Sequence, residues 1–248
     1  MNPLRLTLLA GACSAVSLTG LNAATVSSAG ALVDLTPAGF SPGTDNADLD
    51  AQGAGADGFV LFNSVPEGTN VSNRPWDESM VSNLPAYITS LDGAGSTSSG
   101  GWANYDDVTI GATTYNTGGI VRGGVGNGVE AQMFTFQLSA TVPPIVTIGL
   151  LVDNSDSANW DVSNVRIEGP GAITANQNVA INGGSDLVQF SINGGAAGET
   201  YTIYGTSPPS GALIGGATFD SIPEPGSLSL LAAGGLLLLR RRRRGFAP

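Results

Sequence analysis

The sequence predicts an all-β protein, built as an antiparallel sandwich or barrel, and three observations predict it. Apolar and polar residues alternate at period two in short runs: in AQMFTFQL, Phe134, Phe136 and Leu138 point one way while Met133, Thr135 and Gln137 point the other. Similar runs, IVTIGLLVD, LVQFSI, ETYTIYG and GATFD, are separated by Gly, Asn, Asp, Ser and Pro clusters. Their intervals of about 8 to 14 residues suit a sandwich or barrel better than a parallel α/β sheet. The composition agrees, because Gly supplies 36 of 248 residues, Lys and His are absent and charged residues make up only 12%. Long surface helices normally carry the Lys and Glu that are scarce here.

At the N-terminus, Arg5 precedes an apolar stretch from Leu6 to Leu21, followed by the small residues Ala23 and Ala24. That order is the order of a secretory signal peptide, and cleavage is expected after Ala23, making residues 1–23 the leader. The only cysteine, Cys13, lies inside it. LAGAC places an extra Ala between glycine and cysteine compared with the usual lipoprotein pattern, and the apolar run continues past it, which favours simple cleavage over lipidation. The mature chain then has no thiol, so disulfides and Cys-ligated metals are excluded.

Residues 24–221 are read as one domain, since no internal repeat of 20 to 50 residues and no long linker divides them. DNADLDAQG places Asp48, Asp50 and Gln52 before Gly53, a partial calcium-loop opening. The twelfth position, where a bidentate Glu belongs, is Phe59, so a polar turn is the simpler reading. Pro75, followed by Trp76, Asp77 and Glu78, has the acidic first turn of a short helix running to about Asn83. GAGSTSSGG, from Gly93 to Gly101, is expected to be a loop.

Charge narrows the partners. Arg74, Arg122 and Arg166 are the only basic residues between Ala24 and Ile222, against nineteen acids there, the chain's twenty less Glu224. So acidic a body does not bind nucleic acid or anionic lipid through its own field, which leaves cations, neutral glycans and basic partners. Without His or Cys, Ser-His-Asp and Cys-His catalysis and ordinary zinc sites are unavailable. Paired carboxylates remain, and they hydrolyse glycosides only where two face each other across a cleft. Asp106 and Asp107 are chain neighbours that a strand would send to opposite faces.

Two weaker constellations stand beside these exclusions. DNSDSANWD gathers Asp153, Asn154, Asp156 and Asp161 directly after a strand, hard oxygens suited to Ca²⁺, although a solvated turn explains them as well. Trp102, Tyr105 and Trp160 are the loop aromatics best placed to stack on a sugar ring; most such residues cap a core instead.

The tail has three parts: Pro223-Glu224-Pro225, an uncharged stretch from Gly226 to Leu239 with seven leucines, and Arg240, Arg241, Arg242, Arg243 and Arg244. As a helix the fourteen-residue middle spans roughly 21 Å, short of the roughly 30 Å hydrocarbon core. It makes a weak permanent anchor, with the arginines on the cytoplasmic side. The two prolines keep the tripeptide extended and accessible, and Glu224 supplies its lone charge.

Pro223, Glu224 and Pro225, with the Leu/Gly/Ala stretch and the Arg cluster, resemble the PEP-CTERM sorting signal of exported bacterial proteins. The resemblance covers residues 222–248. It implies recognition by an exosortase, a membrane transpeptidase-like enzyme, followed by tail removal and release or attachment in an exopolysaccharide-rich envelope or biofilm. The second half, Val146 to Asp220, resembles PEP-CTERM proteins of lectin-like jelly-roll type through a "GxLxDN" strand, here Gly149 to Asn154, and a closing "TFD" strand, here Thr218 to Asp220.

The expectation is therefore an antiparallel, jelly-roll-like β-sandwich flanked by a signal peptide and a C-terminal transmembrane sorting helix. It passes through the Sec export machinery, is anchored transiently and then sorted by an exosortase to the envelope or extracellular matrix. Its role is non-catalytic and associated with exopolysaccharide, with no nucleic-acid partner. No cofactor is expected beyond a structural Ca²⁺ at the acidic loop. The alternatives are a Ca²⁺-dependent carbohydrate-binding module and a carboxylate glycoside hydrolase.

Overall fold

The computed structural model describes residues 23–35, 46–66, 80–94, 105–117, 119–123, 128–154, 162–179, 184–206 and 211–222. The first strands in chain order are β1 (Thr25–Ser28), β2 (Val33–Asp34), β3 (Asn46–Asp48), β4 (Gly58–Leu61), β5 (Ser64–Pro66) and β6 (Val81–Asn83). Then come β7 (Ile88–Gly93), β8 (Tyr105–Ile110), β9 (Thr113–Thr117), β10 (Ile120–Gly123), β11 (Glu130–Leu138) and β12 (Ile145–Asn154). The last are β13 (Asn164–Glu168), β14 (Thr174–Asn178), β15 (Gly184–Asn193), β16 (Thr200–Thr206) and β17 (Gly211–Ile222). Among the described residues the only helical element is the single turn Pro170–Ala172. Each expected run lies in a strand: AQMFTFQL in β11, IVTIGLLVD in β12, LVQFSI in β15, ETYTIYG in β16 apart from its first residue, Glu199, and GATFD in β17.

The strands form three sheets. The eight-stranded sheet runs β1-β15-β12-β17-β4-β6, with β2 beside β15 and β10 beside β17; the five-stranded sheet runs β14-β13-β16-β11-β7; the four-stranded sheet runs β3-β8-β9-β5. Pairing is antiparallel except between β3 and β8. The middle of the large sheet is buried on both faces. Val146, Ile148, Leu150 and Val152 of β12 join one cluster with Phe134 and Phe136 of β11, Val165 and Ile167 of β13, and Tyr201 and Ile203 of β16. The intervening Leu151 faces the other way, into a second cluster with Leu49, which follows β3, and Val108 and Ile110 of β8. This two-sided burial is why β12 reads as a nearly continuous apolar run and not as a clean alternation.

Two expectations are corrected. Met133, expected to point away from Phe134, Phe136 and Leu138 with Thr135 and Gln137, is fully buried in the same cluster as those three. The β11 ladder shifts register between Gln132 and Phe134, and a bulge of this kind turns an extra residue inward. The helix expected from Pro75 to about Asn83 is not a helix at its end, because Val81–Asn83 is β6, antiparallel to Leu61, Val60 and Phe59 of β4. Residues 75–79 lie outside the described residues. Acidic first-turn chemistry is a local preference, and at Val81–Asn83 the ladder to an already buried strand decides the conformation.

Register also fixes where the termini leave. Thr25 pairs with Asn193, Asn193 with Ile145, and Ile145 with Ile222, so the start of β1 and the end of β17 share one lateral row.

Candidate functional site

The loose GxLxDN and TFD motifs lie side by side. Gly149 of β12 is the register partner of Thr218 of β17, with Ile148 opposite Phe219 and Thr147 opposite Asp220. A Cβ at Gly149 would collide with the Thr218 hydroxyl, so the glycine is needed for these two strands to approach at full ladder spacing. Phe219 is fully buried, packed edge-on against Phe136 with centroids 5.7 Å apart.

Asp220 ends the motif and is only partly buried. Its carboxylate accepts from the backbone N–H of Gly55 at 2.9 Å and of Ala56 at 2.7 Å, fastening the turn before β4 to the end of β17. Gly55 adopts φ +78°, and a Cβ there would lie 2.6 Å from Ile110 Cδ1. Next to this clamp, the Tyr87 hydroxyl donates to Asp57 at 3.0 Å. Burial first, and then the Asp57 carboxylate, push the Tyr87 phenol well above its ordinary value, so it stays a protonated donor. Tyr201 repeats the arrangement, donating to Glu199 at 2.8 Å, raised mainly by burial and then by that bond.

The remaining acids with resolved contacts are likewise committed. Asp48 accepts from Ala51 N–H within its own turn, and Asp50 accepts from Gly111 and Ala112 N–H at the β8–β9 turn, each at 2.8 Å. DNADLDAQG is thus a pair of turn caps. Arg166 is held by Glu130 and Glu168, with Glu130 the larger cause of its raised pKa, and its guanidinium lies 4.0 Å from the Tyr204 ring centroid. The Asp48 cap fits the polar turn expected from DNADLDAQG. The long-range pairings were not legible in sequence: Asp50 reaches the β8–β9 turn, Glu130 reaches Arg166 on another strand, and Asp220 and Gly55 are 165 residues apart.

Of the residues singled out by sequence, Asp153 and Asn154 close β12, opposite Ser185 and Gly184, and Tyr105 opens β8, opposite Thr117. Asp156, Asp161, Trp102 and Trp160 lie outside the described residues, as do residues 1–22, Pro223, Glu224, Pro225 and Arg240 to Arg244. Among the described residues no three His, Cys, Asp or Glu side chains gather as metal ligands, and no helix is long and apolar enough to cross a membrane. A carboxylate that sequence reasoning passed over is Asp186, fully buried in β15, opposite Val152 on one side and Asp34 on the other.

β17 runs to Ile222, and Ile222 is half-exposed. Residues 221–244 match the family model of the PEP-CTERM protein-sorting motif, so the match begins on Ser221, inside the strand and paired with Val146. No curated protein and no solved structure matches the chain.

Proposed function

Because the chain carries a PEP-CTERM sorting motif, the mark of an exported protein addressed to an exosortase, we propose that its body is a non-catalytic module delivered to the cell envelope or extracellular matrix. The observation that carries this reading is the direct fusion of the motif to β17, a strand in the interior of the large sheet. Export runs through the Sec machinery, the apolar stretch halts the chain in the membrane, and Pro223-Glu224-Pro225 is presented for cleavage. The product is then released or attached among exopolysaccharides.

Strand order supports a jelly roll for the body. β4, β17, β12 and β15 are neighbours in one sheet, and β11, β16, β13 and β14 are neighbours in the other. Taken in chain order as β4, β11, β12, β13, β14, β15, β16 and β17, the eight strands cross between the two sheets as two nested Greek keys do. A scaffold role is supported by the acids. Asp48, Asp50 and Asp220 serve backbone amides, Asp57 and Glu199 serve tyrosines, and Glu130 and Glu168 serve Arg166. Carboxylates engaged in this way stabilise turns and strands and are not poised as an acid and base pair.

The test is fractionation of a host that possesses an exosortase. The native chain should reach the outer envelope or medium, whereas the double variant Pro223→Ala, Pro225→Ala should accumulate in the inner membrane. Equal distribution of the two would overturn the sorting role.

A further inference from the structure

The end of the body at which the chain enters and leaves is otherwise built from short loops. Ser139–Pro144 joins β11 to β12, and Gly194–Glu199 joins β15 to β16. The two loops are tied by the Gly194 N–H donating to the Pro144 carbonyl at 2.9 Å and the Leu138 N–H donating to the Glu199 carbonyl at 2.9 Å. Together they read SATVPP and GGAAGE, so Glu199 is their only charge, and its carboxylate is spent on the Ala196 N–H and the Tyr201 hydroxyl, each at 2.8 Å. Asp220, two residues before Ile222, and Asp57 lie close by and are engaged by the Gly55 and Ala56 N–H groups and by the Tyr87 hydroxyl. At the opposite end β12 stops at Asn154 and β11 starts at Glu130.

We propose that the loop end carrying Thr25, Ile145, Asn193 and Ile222 is a membrane-facing surface that rests on lipid headgroups while the tail is inserted. The proposal rests on the reading of the tail as a transient anchor. Length is the first argument. Only Pro223, Glu224 and Pro225 separate Ile222 from Gly226, where the uncharged stretch begins, and four extended steps cover no more than about 14 Å. The loop end is therefore held within about 14 Å of the edge of the hydrocarbon core, against a headgroup layer about 5 to 8 Å deep. The second argument is the shared exit, since the lateral row from Ile222 to Thr25 crosses three strand spacings, about 14 Å. The expected leader and the sorting tail therefore leave toward the same plane, and the body folds without either hydrophobic segment crossing it.

The chain's single cysteine makes the test clean. In a Cys13→Ser background of the full chain, Ala140→Cys and Ala197→Cys probe exposed positions in the two loops, and Val129→Cys probes the exposed residue before β11 at the far end. Each variant is reconstituted into vesicles of phosphatidylethanolamine and phosphatidylglycerol, labelled with a thiol fluorophore and quenched by headgroup-spin-labelled lipid. Quenching several-fold stronger at positions 140 and 197 than at 129 is expected. Equal quenching at all three in protein that co-floats with vesicles overturns the orientation and leaves the anchor standing. Protein that does not co-float overturns the anchor and the orientation together.

Discussion

β17 and the segment that follows it meet at Ile222, yet the two use their residues differently. Each residue of β17 matters through what it touches: Phe219 fills the core against Phe136, Thr218 lies over Gly149, and Asp220 clamps the Gly55–Ala56 turn. In the tail, order and composition carry the meaning, a tripeptide, an apolar stretch and a run of arginines that a separate enzyme reads. The difference teaches that substitutions before Ile222 should change stability and leave the address intact, while those after it should do the reverse.

The largest departure within the body should come from Phe219→Ala, which empties a fully buried site between two sheets. A loss of about 3–5 kcal/mol in urea unfolding is expected, and a loss below about 1 kcal/mol would mean the two sheets do not share the core described. Asp220→Ala should cost less, about 1–3 kcal/mol, because it leaves the Gly55 and Ala56 N–H groups without their acceptor. Unfolding of the tail-less body would detect it, and a neutral result would mean that water replaces the clamp without loss.

The smallest effect concerns pH. Tyr87 and Tyr201 have folded-state values raised above the ordinary phenol value of about 10, by burial first and then by Asp57 and Glu199. Their contribution is fully present below about pH 10 and is lost as pH rises above it, since unfolding releases phenols that ionise more readily. Melting temperature should fall through the range above about pH 10, and Tyr87→Phe with Tyr201→Phe should flatten that fall. An unchanged slope in the double variant would place the alkaline loss elsewhere.

What was legible in the sequence divides along the same line. β15, β16 and the GATFD part of β17 announce themselves by alternation, and β12 by an apolar run whose two-sided burial the structure explains. Met133 was misplaced because a bulge is a ladder event, decided by the partner strand and invisible in a single run. Val81–Asn83 was misread because the acidic turn before it is a local signal, whereas the ladder to β4 is not local. The Tyr87–Asp57 pair and the Asp220 clamp depend on which strand ends meet in space. The sorting motif was legible because its parts are contiguous, and an enzyme that reads an extended peptide depends on contiguous residues.

The most direct test of the central claim is intact-mass analysis of the protein recovered from an exosortase-bearing host. A mature product that ends at or near Pro223-Glu224-Pro225 and lacks Arg240 to Pro248 is predicted; a product that retains those residues would contradict processing of the tail.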